Sequence, residues 1–367
     1  MTKADHDLRA IGAQFELPGA FVEARRHGTG HINDTYAATY AQGGCHVRYI
    51  HQRINTHVFR RPEQLMANVS RVLAHAGGQL ADAPDADRRT LTLVPARDGA
   101  HWVHDEAGEV WRTYLFIERA HTIDVLETPA QAETAAAAFG RFQRQLADLP
   151  GTRLFDTIPD FHHTRRRFDA LVASIDADVA GRAHLAREPI GVAMAHEADV
   201  DRLLNAAAAG ELPERVTHND TKINNVMLDD ASGAALCVVD LDTTMPGLAA
   251  YDFGDMVRTA TNAAAEDEPD VTRVASRPAF FEALVRGYLA EAGAFLCAAE
   301  VDVLAFSGQL LALEQGIRFL TDYLQGDTYY RIHRPSQNLE RARAQFALMA
   351  SIERQQDAYA AIVRRYS

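Results

Sequence analysis

Alternating apolar and polar positions crowd the first third of the chain. Residues 35–40 and 46–54 alternate on either side of Gly43-Gly44, the pattern of two strands joined by a tight hairpin. Between residues 62 and 76, Leu65, Met66, Val69, Val72 and Leu73 recur at helical spacing. Residues 90–94, 101–104 and 109–117 read as further strands, with a turn at 106–108. The expectation is a five-stranded antiparallel sheet with one helix inserted after its third strand. Beyond Glu118 the period becomes helical, over 130–146, 164–175, 197–209, 278–292, 299–324 and 338–365. Only two short apolar runs interrupt it, 226–228 and 236–239. The pattern predicts an α+β chain with a β-rich lobe over 1–117 and a mainly helical lobe over 118–367.

Composition narrows this little. The chain has 367 residues, enough for two cores, and its 47% apolar and 24% charged content is that of a globular protein. The net charge of -13 argues against a nucleic-acid partner, which needs a basic face. No apolar run approaches the roughly 18 residues that span a membrane, and no secretory signal is visible at the start. The three cysteines lie far apart, two of them in apolar surroundings, which predicts buried free thiols in a reducing cytoplasm. His162-His163, before the basic run 165–167, reads as a solvated helix start rather than a metal site.

The chemistry lies between the two short strands. His218, Asp220 and Asn225 stand at H-x-D-x-x-x-x-N spacing, and a strand ending at Asp240 follows. Phosphoryl transfer from a nucleotide needs this set: one carboxylate to receive the proton of the attacking hydroxyl, and an amide with a second carboxylate to hold Mg²⁺. Upstream, Gly28-Thr-Gly30-His-Ile-Asn33 falls in a turn between strands, where glycine lets the backbone approach a phosphate. A plain hairpin turn is the simpler account of those residues. The strand carrying Tyr49 to Ile54 has no lysine, so Arg53 is its candidate phosphate cation, with Glu63 as the expected helix partner and Asn68 as the other residue that helix offers. A surface strand residue is the alternative for Arg53. Phe116 and Glu118 end the last strand, where backbone groups can meet an adenine.

With these residues assembled, the chain resembles the aminoglycoside phosphotransferase and choline kinase superfamily, and within it the bacterial N-acetylhexosamine 1-kinases. The matches are Gly30-His-Ile-Asn-Asp-Thr35, Tyr49-Ile-His-Gln-Arg-Ile-Asn55, His218-Asn-Asp-Thr-Lys-Ile-Asn-Asn-Val226, Val239-Asp-Leu-Asp-Thr-Thr-Met-Pro-Gly247, Tyr251-Asp-Phe-Gly-Asp255 and Gly316-Ile-Arg-Phe-Leu-Thr-Asp322. The resemblance implies a protein-kinase-like two-lobe fold and a kinase using ATP and Mg²⁺. Its acceptor would be the anomeric 1-hydroxyl of N-acetylglucosamine or N-acetylgalactosamine.

By the same resemblance Asp220 is the base, Asn225 and Asp240 hold the metal, and Asp242 is an additional ligand. Lys222 would offset charge on the transferred group, although a surface loop cation is the plainer reading. Asn224, Arg318, Asp322 and Tyr323 would meet the sugar; a structural ion pair is the alternative for Arg318. Asp252 and Asp255 would brace the helix after the metal loop, and His218 would orient the catalytic loop. Ala67 departs from relatives that carry Glu there. The partners expected are a sugar and ATP, with no nucleic acid or membrane, and the chain itself a monomer or weak homo-oligomer. Two rivals stand beside this reading: a related kinase acting on choline, homoserine, methylthioribose or an aminoglycoside, and a non-catalytic nucleotide- or sugar-binding protein.

Overall fold

A computed structural model of the chain describes residues 6–28 and 32–367. They divide into two compact units that are not consecutive in sequence. Unit 1 holds the described residues up to His121, with Leu149–Pro159 and Met227–Thr244; unit 2 holds Thr122–Asp148, Asp160–Val226 and Met245–Ser367. The sequence pattern places a single division near residue 117.

Unit 1 is built on a five-stranded antiparallel sheet of β1 (Ala20–Arg26), β2 (Asp34–Gln42), β3 (Cys45–Ile54), β4 (Val103–His104) and β5 (Val110–Leu115), in spatial order β1-β2-β3-β5-β4. The hairpin between β2 and β3 turns at Gly43 and Gly44, both at positive φ, as a two-residue turn between twisted strands requires. Helices α1 (Leu8–Gly12), α2 (Pro62–Gln79) and α3 (Ala86–Arg89) complete this part. Helix α2 starts with proline at its first position and buries Leu65, Met66, Val69, Val72 and Leu73. A smaller sheet of β6 (Ala120–His121), β8 (Val226–Asp229) and β9 (Ala235–Val238) carries the chain to the loop of Asp240 and Asp242.

The sequence expectation differs here in one strand. Residues 90–94 form only an isolated bridge, Leu93 to Tyr114, and β1 takes the fifth place instead. The run 20–26 carries no clear period-2 signal because this edge strand is mostly exposed, with only Phe21 and Ala24 partly buried.

Unit 2 pairs β7 (Arg215–Thr217) with β10 (Met245–Gly247) and is otherwise helical. Its helices are α4 (Pro129–Leu146), α5 (Thr164–Ala177), α6 (Arg187–Ala195), α7 (Arg202–Ala208), α8 (Ala249–Thr261), α9 (Pro278–Ala292), α10 (Ala298–Asp302), α11 (Leu304–Leu324), α12 (Gln337–Glu353) and α13 (Gln356–Tyr366). The expected 338–365 helix is thus two helices, and α6 was not foreseen. Helices α8 and α11 lie close because both present glycine at their crossing. A Cβ on Gly254 would sit 2.5 Å from the Ser307 carbonyl oxygen, and one on Gly308 would sit 2.4 Å from Val257. That crossing fixes α8, whose side chains hold the segment 218–221.

The thiols differ from expectation: Cys45 and Cys297 are exposed and only Cys237 is buried. Among the described residues no helix is long and apolar enough to cross a membrane.

Candidate active site

In unit 2 the segment after β7 is held almost entirely through its main chain. Asp252 of α8 is fully buried and accepts the amides of His218 (2.9 Å) and Asn219 (2.7 Å), as well as Gln143 Nε2 (2.6 Å). Asp255, one turn on, accepts the Thr221 amide (3.0 Å) and Arg258 Nε (2.8 Å). The Thr221 hydroxyl donates to the Asp252 carbonyl oxygen (2.7 Å). These bonds hold Asn219 at φ 64, a left-handed conformation that costs about 1–2 kcal/mol for a residue with a Cβ. Asp252 and Asp255 therefore brace the loop from α8, a closer involvement than bracing the helix alone.

His218 is buried against Phe139 and Phe142, and its Nδ1 accepts the Asp220 amide (3.2 Å). It orients the loop, as expected. Asn225 turns its amide nitrogen to the Asp220 carbonyl (2.8 Å) and to Asp220 Oδ2 (3.2 Å), and Lys222 Nζ lies 3.0 Å from Asp220 Oδ1. Asn224 donates to Asp124 Oδ1 (3.3 Å), while its own buried amide oxygen has no partner among the described residues.

Further into unit 2, Arg318 lies on α11 with its guanidinium 5.3 Å from the Phe161 ring and 5.8 Å from the Tyr330 ring. It donates to Gln315 Oε1 (3.0 Å), and Gln315 donates to the Tyr330 hydroxyl (3.2 Å). Arg167 is close enough that burial and the Arg318 charge hold its pKa below the usual value, and its Nε has no partner. Asp322, expected to meet the sugar, is committed elsewhere. Asp322 accepts the amides of Thr328, Tyr329 and Tyr330 and the side chain of Asn338, so it folds the segment after α11. Tyr323 is buried on another face of the helix, under Arg182. Phe161 and Tyr330 supply the aromatic surface expected of Tyr323. Neither is at helical spacing from Arg318, so periodicity gave no signal for them.

In unit 1 the loop carrying Asp240 and Asp242 follows β9. Asp240 is exposed and adopts φ 61, ψ 57. Asp242 points the other way, into the core. Arg112 of β5 pairs with its Oδ1 at 2.5 Å, the two side chains being 1% and 2% exposed, and Asn33 donates to its Oδ2 (2.6 Å). Gln52 anchors the Arg112 fork, at 2.9 Å from Nε and 2.6 Å from Nη2. Burial works against the charge of Arg112, but Asp242 outweighs it and raises the pKa. Asn68 of α2 and Thr157 fasten the same loop through the carbonyls of Thr244 (3.1 Å) and Asp242 (2.8 Å).

Three expectations change accordingly. Asp242, expected as an additional metal ligand, has one oxygen beside a guanidinium and the other on an amide. Arg53 stands opposite Trp111 in the sheet, so strand alternation puts it on the face away from Arg112 and Asp242. It pairs with Asp34 (2.5 Å) and Glu109 (2.7 Å), not with Glu63, which is exposed. Asn33 is occupied by Asp242 and by the Asn55 amide (2.9 Å). Gly28 is exposed at φ 74 with open space around it, and Gly30 lies outside the described residues.

At the end of the sheet, Phe116 lies under the Arg48 guanidinium (3.8 Å) and beside the His27 ring, and Arg48 also pairs with Glu118. The Phe116 amide donates to the Arg48 carbonyl (3.1 Å), and the Glu118 carbonyl accepts Arg88 Nε (3.3 Å).

The Asn225 amide oxygen and the Asp240 carboxylate are each an oxygen donor of the kind that suits Mg²⁺, which binds through one or two protein oxygens and completes its shell with phosphates and water. The sequence profile of the APH phosphotransferase enzyme family matches residues 23–301, more than half of the chain. The chain belongs to this family. As a phosphotransferase of this kind it shares its fold with several solved structures. An aminopropanol kinase associated with a microcompartment is 17% identical, with 96% of this chain and 98% of that one covered and a TM-score of 0.55. An aminoglycoside phosphotransferase from Alicyclobacillus acidocaldarius is 15% identical, with 99% and 97% covered and a TM-score of 0.57. A spectinomycin phosphotransferase, solved with ADP and spectinomycin, is 13% identical, with 92% of each chain covered and a TM-score of 0.50.

Proposed function

We propose that this phosphotransferase is an ATP- and Mg²⁺-dependent kinase of the cytoplasm that phosphorylates the anomeric 1-hydroxyl of an N-acetylhexosamine. The observation that carries the acceptor class is Arg318. A guanidinium between two aromatic rings, with Arg167 beside it and with Glu314 and Asp322 committed to other partners, repels an ammonium group. It suits an uncharged acceptor rich in hydroxyl and amide oxygens, which accept from Arg318. This favours an uncharged acceptor over an amine-bearing alcohol.

In this mechanism Asp220 takes the proton as the sugar O1 attacks the γ-phosphorus. The bond from that phosphorus to the ADP oxygen breaks, and the α-1-phosphate and ADP leave. An anomeric hydroxyl is more acidic than an ordinary alcohol, so a positioned carboxylate suffices and charge neutralisation supplies most of the acceleration. Asn225 orients Asp220 through its amide nitrogen, and Lys222 offsets charge gathered on the transferred group. By the family resemblance, Asn225 and Asp240 would each offer an oxygen to Mg²⁺, whose charge would neutralise the phosphate oxygens.

The test is Mg²⁺-dependent ADP release against N-acetylglucosamine, N-acetylgalactosamine, glucose, choline, homoserine, methylthioribose and kanamycin. Turnover confined to the N-acetylhexosamines, and abolished when the anomeric oxygen is methylated, supports the assignment. Preference for an amine overturns the acceptor class, and silence throughout favours a nucleotide- or sugar-binding protein without catalysis.

A further inference from the structure

His162 stands just before α5 and belongs to no motif of phosphoryl transfer. It is buried, with its ring against Phe161 and Tyr251. Nδ1 lies 2.8 Å from Glu314 Oε1, and Nε2 lies 3.0 Å from the carbonyl oxygen of Asn219, the residue before the catalytic base. A carbonyl oxygen accepts only. The Glu314 carboxylate is in the same position, because its other oxygen already accepts from the Thr164 hydroxyl (2.6 Å). A neutral imidazole carries one N–H and one lone pair, so it satisfies one of these partners and turns a lone pair on the other. Only the doubly protonated ring satisfies both. It also supplies the positive charge that a fully buried Glu314 needs.

We propose that His162 is a positioning residue of the transfer step: as an imidazolium bonded at both nitrogens, it clamps the Asn219 carbonyl and so fixes the direction in which Asp220 is presented. The Asn219 amide is fixed from the opposite side by Asp252, so the peptide groups on both sides of this left-handed residue are anchored. Glu314 anchors the ring to α11, the helix that carries Arg318, which ties the base to the acceptor-binding helix.

The groups that act on the ring are Glu314 from α11, Asp255 and Tyr251 from α8, and the Asn219 carbonyl; Arg318 and Arg167 act on Glu314 in turn. Burial opposes the imidazolium, but Glu314 overrides it and Asp255 adds to the effect, so the pKa lies above the ordinary value. Burial likewise opposes the Glu314 carboxylate, and the His162 charge outweighs it and holds its pKa below the usual range. With a raised pKa the clamp is complete below about pH 6.5 and is lost as pH rises through the folded value.

The first readout is the long-range ¹H–¹⁵N spectrum of protein labelled at histidine, with the His162 signal assigned by its loss in His162→Gln. The expected result is two protonated ring nitrogens at pH 7, persisting above the pH at which exposed histidines titrate. The second is the pH profile of kcat with N-acetylglucosamine as acceptor. Wild type should lose kcat on the alkaline side. His162→Gln should be slower by about ten- to a hundredfold at neutral pH, with a flat alkaline side and little change in the KM for ATP. Glu314→Gln should move the wild-type decline to lower pH. A neutral His162 ring at pH 7, or an unchanged alkaline decline in His162→Gln, overturns the proposal. The spectrum needs no acceptor, so it decides the matter even if the sugar assignment fails.

Discussion

The guanidinium of Arg112 lies 2.5 Å from Asp242 inside the core of unit 1, with both side chains almost completely shielded from water. The pair separates the two carboxylates of the Asp240-Leu-Asp242 sequence by role. Asp242 is neutralised by protein groups and shapes the loop, whereas Asp240 is exposed and is the carboxylate proposed for the cation.

Removing one partner of a buried ion pair strands the other. Arg112→Met should therefore destabilise the protein by about 3–5 kcal/mol, measured by urea unfolding. Arg112→Lys keeps the charge but loses the fork that spans Gln52 and Asp242, and should fall between the two. An Arg112→Met protein as stable as wild type would mean the pair contributes nothing to the fold.

Asp240 makes the opposite prediction. It is a non-glycine residue in a left-handed conformation, so Asp240→Gly should keep or raise stability by about 1 kcal/mol while abolishing Mg²⁺-dependent turnover. Thermal unfolding and ADP release on the same preparation check both halves. Retained turnover at ordinary Mg²⁺ concentration would return the metal role to Asp242.

Asp252 carries two loop amides and Gln143. Asp252→Ala leaves those donors buried and unpaired, which should cost about 3 kcal/mol and reduce kcat through misplacement of Asp220. By contrast, Asp220→Asn should unfold like wild type and bind nucleotide, yet lose about 10²-fold or more in kcat. Calorimetry with ATP alongside steady-state rates distinguishes the two variants.

Burial pushes the Cys237 thiol up to about 12, whereas Cys45 and Cys297 are exposed. A thiol reagent at pH 8 should modify two cysteines in the native protein and the third only after denaturant is added. Three fast thiols would show that the β9 region opens readily.

The juxtaposition of His218, Asp220 and Asn225 was legible because it depends on spacing along one short segment. The hairpin at Gly43-Gly44 and helix α2 were legible for the same local reason. What the sequence hid was set by pairing across long separations. Arg53 looked like the phosphate cation because it sits on the expected strand, but strand alternation turns it away. Arg112 carried a signal that was passed over, a permanent cation inside the apolar run 109–117. Asp322 looked like a sugar contact, yet the chain doubles back and the amides of Thr328, Tyr329 and Tyr330 take the carboxylate. His162 was read as solvated because of the basic run beside it; only the fold brings Glu314 and Asn219 to its ring.

The most direct measurement is the site of phosphorylation in the product. After incubation of N-acetylglucosamine with ATP, Mg²⁺ and the protein, coupled ¹H and ³¹P spectra locate the new ester. The account predicts one product whose anomeric proton is split by phosphorus with the small coupling of an α-configured C1. A phosphate on any other hydroxyl, or transfer only to an amine-bearing alcohol, would contradict it.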